Sequence, residues 1–314
     1  RSLDNGFCHS PSPKKHWFVP AASQRFVFCI RTEAAAGSVA RTTNQLLMTN
    51  DPYTLRRGRA GAERLRILGA AMADSTERFL RSSGLKEGMR CLDAGCGVGV
   101  VSRKLAEITG HCHGIDLDSQ FLEIAQKDSL PSGVSLGQVN VFDLAAEPLY
   151  DVVYSRYLLS HLKEPGLAIR RLADVLKPGG LLLLEDVDFP GHVHHPPCPA
   201  FLSYLELYQK VVRKNGGDPC LGRKLYSLVL DCNLESVEME LVVSLQYRDP
   251  GKRVAELTLE HVASPLIDGG LVEAAELENL LQDLRDFGAN EKSFMSIAPT
   301  YQIRARKPVT PDKR

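Results

Sequence analysis

The sequence predicts an α/β protein built on a doubly wound, mostly parallel sheet, and three observations carry that expectation. From about residue 51 onward, short apolar runs alternate with amphipathic helical stretches. The first apolar run, MRCLDAG, leads through a glycine-rich turn, CGVGV, straight into a helical pattern. A later run, LLLLEDVDF, is apolar on both faces, as a central parallel strand must be.

Each element follows in order. Leu65, Leu68, Met72, Phe79 and Leu80 recur at helical spacing, with a break expected at Ser75 or Thr76 and a stop at Gly84. The strand MRCLDAG comes next. Val101, Leu105 and Ile108 then share one helical face, which Gly110 ends. CHGIDLD is a second strand, SQFLEIAQKD a helix, VSLGQVNVFDL a third strand and YDVVYSRYLL a fourth. GLAIRRLADVL is a helix with Ala168, Leu172, Val175 and Leu176 inward, and KPGG turns the chain into the fifth strand. Beyond it lie a helical insertion over 198–230, a strand VEMELVVSLQY, a helix around EAAELENLLQDLRDFG and a final strand SFMSIAPTYQIRARK.

The chain has 314 residues with 38 Lys+Arg against 38 Asp+Glu, so no global field draws it to nucleic acid or an anionic membrane. Its eight cysteines form no C-x-x-C pair, which fits reduced thiols in an intracellular protein and makes a zinc site unexpected. No apolar run reaches the roughly 18 residues of a spanning helix. Residues 1–50 are basic, with Asp4 and Glu33 as their acids, and carry no sustained period. They are read as a disordered extension and the chain as cytoplasmic, with an organelle-targeting segment as the alternative. Residues 51–84 then form an N-terminal helical lid, 85–190 an α/β core, and 191–314 the rest of the sheet with its insertions.

The glycine turn decides the ligand class. A dinucleotide fingerprint needs a third small residue, but Val100 or Ser102 stands at that place, and no G-K-[ST] marks a P-loop. What is present is an acid followed by alternate glycines: Asp93, Gly95, Gly97 and Gly99. A second acid, Asp116, ends the next strand and can accept from two hydroxyls at once.

LDAGCGVG, HGIDLD, YDVVYSRYLLSHL and LKPGGLLLLED, in that order, resemble the class I S-adenosylmethionine-dependent methyltransferases, over residues 53 to 190 and closest to the small-molecule branch. The resemblance implies a Rossmann-like sheet of order 3-2-1-4-5-7-6 with strand 7 antiparallel, S-adenosylmethionine as cofactor, and transfer of its methyl group to a small organic acceptor. It also implies roles. Gly95, Cys96, Gly97 and Gly99 line the methionyl part, Asp93 orients its amino group, and Asp116 takes the ribose with Leu117 on the adenine. Asn140 and Val141 stand at the adenine edge, where the family carries an acid at the position of Asn140. Ser155 and Arg156 offer backbone near the sulfonium, and Tyr53 closes a lid. Cys96 is a small filler there, not a nucleophile.

Methyl transfer needs alignment and, for many acceptors, a base. The nominees are His161, in LLSHLKEP, and His194, in the cluster EDVDFPGHVHHPPCPAF, which is read as a wall of the acceptor pocket with no metal. Asp186 and His195 share that cluster. The run LRRGRAGAERLR reads as a solvated helix face. A macromolecular acceptor is disfavoured, because YSRY stands where amino-methylating enzymes carry [DNS]-P-P-[YF]. A cofactor-binding regulator without turnover is the alternative from another class. The oligomeric state is left open.

Overall fold

The computed structural model describes residues 59–248 and 250–309. Its strands are β1 (Arg90–Ala94), β2 (His111–Asp116), β3 (Val134–Gln138), β4 (Tyr150–Arg156), β5 (Leu176–Val187), β6 (His194–His195), β7 (Glu235–Val242), β8 (Leu245–Gln246), β9 (Phe294–Ser296) and β10 (Thr300–Arg306). Its helices are α1 (Arg59–Ala71), α2 (Ala73–Ser82), α3 (Val100–Thr109), α4 (Ser119–Lys127), α5 (Pro165–Asp174), α6 (Pro199–Lys214), α7 (Leu225–Leu230), α8 (Val254–His261), α9 (Ala263–Asp268) and α10 (Ala274–Ala289).

The main sheet runs β3-β2-β1-β4-β5-β10-β7, with β10 antiparallel to both of its neighbours. Counting only its own strands, this is the expected order 3-2-1-4-5-7-6 with the seventh antiparallel. β1 pairs in parallel with β2 on one side and β4 on the other, so the chain reverses its winding there. A crevice opens at the carboxyl ends of strands at such a switch point.

β5 shows why the sheet is central. Leu181 and Leu183 pack on one side with Phe79, Val101 and Leu105, while Leu182 and Leu184 pack on the other with Ala168, Ile169 and Leu172. Each buried leucine contributes about 1.5–3 kcal/mol against exposure. A further cluster, built by α6, α8 and α10 around Phe201, Tyr204 and Leu259, covers the carboxyl edge of the sheet.

Local chemistry sets the element ends. Asp118 caps α4 by accepting from Gln120 N and Phe121 N. Pro165 and Pro199 open α5 and α6, where a missing N–H costs nothing. The helical break expected at Ser75 or Thr76 falls at Met72 instead. Both hydroxyls lie inside the second helix's turn of chain, Ser75 Oγ donating back to Met72 O and Thr76 Oγ1 reaching the Glu185 carboxylate. β4 is shorter than expected: Tyr157, at φ 58°, turns the chain into a 3-10 turn, Leu159–His161. The two late strands each split, and β6, β9 and β8 assemble into a separate three-stranded antiparallel sheet. No helix among the described residues is long and apolar enough to cross a membrane.

Candidate active site

The site is built outward from the turn after β1. Gly95, Gly97 and Gly99 all have positive φ, at 75°, 53° and 72°. The sequence suggests that the missing Cβ atoms make room for a ligand; protein atoms give a more immediate reason. A Cβ on Gly95 would stand 3.0 Å from Leu158 Cβ, and one on Gly97 3.0 Å from Leu65 Cδ1. The turn is pinned to β2 by its own amides. Gly95 N and Cys96 N donate to Ile115 O at 2.8 and 3.0 Å, and Gly97 N donates to Asp116 Oδ2 at 2.7 Å.

Two carboxylates face this turn. Asp93 is buried and accepts from Ser102 Oγ at 2.6 Å; burial pushes its pKa up to about 6. Asp116 accepts from Asp118 N at 2.9 Å through its other oxygen, and burial raises its pKa as well. Each of its oxygens keeps a lone pair for a further donor. The Cys96 thiol is likewise raised, by burial first and then by Asp93 and Asp116. It is a packed thiol in the turn wall, not a thiolate.

Two cavities meet here. The larger, about 1020 Å³, extends from Asp93 and the glycine turn past Tyr157 and His161 to Phe189, Tyr204 and Tyr208. The smaller, about 740 Å³, is an apolar slot between Leu117, Val141, Leu158 and Leu162, with Asn140 at its edge. Gly95, Asp116, Tyr157 and His161 line both. Leu117 is 53% exposed, an apolar side chain left uncovered on the slot's rim. Asn140 uses Oδ1 to accept from Phe142 N, so its amide NH₂ remains as the group that can serve the slot. Asp143, the neighbouring acid, is exposed.

The remaining nominated residues separate. Ser155 turns away and bridges strands, its Oγ donating to Ala94 O. Arg156 lines the larger cavity, donates to Thr76 Oγ1 and lies over the Tyr157 ring. Thr76, Tyr154 and Gln302 all donate to Glu185, a buried network beneath the cleft floor. His161 lines the cleft with its pKa lowered to about 4, by burial and then by the Arg64 cation, so it is neutral near pH 7. His194 is not among the lining residues; it stacks on Phe201 at 4.4 Å, behind the wall. His192 takes that place, its Nδ1 2.7 Å from Phe189 O. Asp186 is buried structure, accepting from Ser160 N and Val187 N. Tyr53 lies outside the described residues. Among those residues no cluster of His, Cys, Asp and Glu could hold a metal ion.

Sequence reasoning missed several participants. Arg64 belongs to the run read as solvated, yet it is buried and lines the cleft. Its helical position, one turn before Leu68 and flanked on the helix face by Ile67 and Leu68, was the available signal. Gly114 was also missed: a Cβ there would meet Leu136, Ser102 and Cys96 at 2.8 to 3.0 Å, so glycine keeps Ser102 seated against Asp93. Tyr204 and Tyr208 carried no local motif, whereas Phe189 falls in the run read as a wall of the acceptor pocket.

Residues 63–211 match the family described as a methyltransferase domain. The ubiquinone biosynthesis O-methyltransferase of Shewanella sp. (strain ANA-3) is 34% identical over 105 residues, which are 32% of this chain and 44% of that protein. The protein of the same name from Bordetella pertussis is 40% identical over 111 residues, 34% of this chain and 46% of the relative. The chain thus spans under half the length of these curated relatives. A chain in the solved complex of the Haloferax volcanii Trm112 methyltransferase activator with a methyltransferase superposes with a TM-score of 0.50 at 16% identity, covering 81% of this chain and 99% of that one. That likeness is one of fold.

Proposed function

We propose that the chain, whose residues 63–211 match the methyltransferase-domain family and whose sheet has the class I order, transfers the methyl group of S-adenosylmethionine to a small organic acceptor. The observation that carries the reading is the pair of cavities joined at Gly95, Asp116, Tyr157 and His161: a narrow apolar slot opening into a wider aromatic chamber.

The donor set fits this cofactor. Asp93 is a carboxylate whose pKa is raised by burial despite the Arg156 cation, and an ammonium placed against it relieves that cost. On this reading Asp116 accepts the ribose hydroxyls with its remaining lone pairs. Leu117, Val141, Leu158 and Leu162 sandwich the adenine, and the Asn140 amide donates to its ring edge. The glycine turn and Arg156 flank the methionyl chain. When bound, the cofactor supplies an electrophilic methyl group on a positively charged sulfur.

The chain's own contribution is alignment and exclusion of water. Phe189, Tyr204 and Tyr208 form the flat walls that hold the acceptor in line. Tyr157 and His161 occupy the junction where the two molecules meet. A neutral imidazole with so low a pKa is a weak proton sink and a good hydrogen-bond acceptor, so His161 orients the attacking group more than it deprotonates it.

The test has two parts. Saturating S-adenosylhomocysteine should raise the melting temperature by roughly 5–10 °C, while NAD leaves it unchanged; stabilisation by NAD alone overturns the reading. Methyl-labelled S-adenosylmethionine incubated with cell extract should put label into the low-molecular-mass fraction. Label confined to protein or RNA removes the small acceptor.

A further inference from the structure

Arg64 is more than nine-tenths buried, at 7% exposure, and projects from α1 into the larger cavity. Its Nε has no hydrogen-bond partner, and no ion pair to it exists among the described residues. A guanidinium taken out of water costs several kcal/mol unless an anion or a set of acceptors meets it. Among the described residues no carboxylate on the cleft walls does so. Asp93 is engaged by Ser102, Asp116 by two backbone amides, and Asp186 by the amides of Ser160 and Val187. The missing anion is therefore one that a ligand brings.

Which ligand follows from the surroundings. The Arg64 charge is felt by His161, Tyr204 and Tyr208, on the chamber's acceptor wall. The cation felt by Asp93, on the cofactor side, is Arg156. Around Arg64 the chamber is aromatic: the Phe189 and Tyr208 rings stack at 4.0 Å and 23°, with Tyr204 set edgewise on Phe189 at 5.5 Å. Such walls select a flat ring, and a fixed guanidinium fork selects a carboxylate.

Resting on the methyltransferase reading of the cleft, we propose that the acceptor is an aromatic acid and that Arg64 pairs with its carboxylate. The ring lies against Tyr208 and Phe189, and the charge anchors the molecule's distal end so that its nucleophilic atom faces Tyr157 and His161.

The experiment compares benzoate, phenylacetate and 3-phenylpropanoate with their primary amides by calorimetry, on protein with and without S-adenosylhomocysteine. At least one acid should bind roughly 10- to 100-fold more tightly than its amide. Arg64→Met should abolish that preference while leaving S-adenosylhomocysteine affinity within about threefold, and Arg64→Lys should restore part of it. Acids binding no better than amides in every pair overturn the proposal. So does a loss of S-adenosylhomocysteine affinity in Arg64→Met matching the loss of acid binding, because the arginine then serves the cofactor's own carboxylate. Should Arg64→Met fail to fold, Arg64→Gln supplies the same comparison. Failure of wild-type protein to bind S-adenosylhomocysteine strikes the methyltransferase reading instead, and the acid–amide comparison on the cofactor-free protein still decides the role of Arg64.

Discussion

The two halves of the cleft are built by opposite means. The glycine-turn half comes from one short stretch, Asp93 to Asp118, held by backbone amides and carboxylates at 2.6 to 3.0 Å. The aromatic half is assembled from Arg64, Phe189, His192, Tyr204, Tyr208, Val254 and Ile297, positions spread along nearly the whole described chain. Its order comes from ring packing. The difference teaches where each kind of recognition resides. On the proposed reading, a fixed cofactor is met by a local motif, whereas acceptor choice is distributed over side chains that only tertiary packing brings together.

The sharpest way to break this comparison is from behind the aromatic wall. Phe201 is fully buried and touches His192, His194, Tyr204 and Phe287, yet it lines neither cavity. Phe201→Ala should destabilise the protein by about 3–5 kcal/mol in urea unfolding. The affinity of the folded fraction for S-adenosylhomocysteine should stay within about twofold. A matching fall in that affinity would mean that the two halves are one cooperative unit and the contrast is false.

The same contrast explains what could be read without coordinates. The order of the main strands follows from apolar runs and turns, because alternation of strand and helix leaves few ways to wind a sheet. The glycine turn and its two acids were legible for a related reason: positive φ admits few residue types, and Gly95, Gly97 and Gly99 announce it. The aromatic wall was legible only in part, where Phe189 and His192 fall in the run read as a wall of the acceptor pocket. Tyr204 and Tyr208 lie one helical turn apart on α6, a spacing any core helix shows, and nothing local says that part of that face borders a chamber. Arg64 was misread because it stands in one run with the exposed Arg59 and Arg66, and burial of one among several is a tertiary fact. His194 was nominated by its cluster, but strand alternation in β6 and the stack on Phe201 place it behind the wall. The split of the last two strands was hidden for a different reason. Ser244 and Pro299 interrupt runs whose hydrophobic pattern continues across them, and Ser244 Oγ is drawn instead to Ala71 O.

A second, smaller effect probes the glycine-turn half. Asp116→Ala removes the acceptor for Gly97 N and Asp118 N as well as the proposed ribose contact. Leaving a buried donor unpaired costs about 1–3 kcal/mol. The affinity for S-adenosylhomocysteine should therefore fall roughly 30- to 100-fold by calorimetry, while binding of the aromatic acids to cofactor-free protein persists. Wild-type cofactor affinity in this variant would remove Asp116 from the site.

The smallest effect is one of acidity, and it tests whether the halves carry opposite charge costs. Burial lowers His161 and His192 from 6.5 to about 4, so the folded state refuses protons that the unfolded chain accepts. Those two groups withdraw stability as pH falls from 6.5 toward 4. Burial raises Asp93 and Asp186 from 3.8 to about 6, so the folded state holds protons that the unfolded chain has released. Those two return stability as pH falls from 6 toward 3.8. The windows overlap and the slopes oppose, so urea midpoints of the wild type should respond weakly to these four groups between pH 7 and 4.5. His192→Phe deletes one withdrawing group and keeps an aromatic ring against Phe189 and Phe201. Relative to wild type, that variant should gain stability on acidification, by less than about 2 kcal/mol given that the imidazole is only half-buried. Parallel pH profiles for the two proteins would mean that His192 titrates normally. The aromatic wall would then be open to water where the packing argument requires it to be closed.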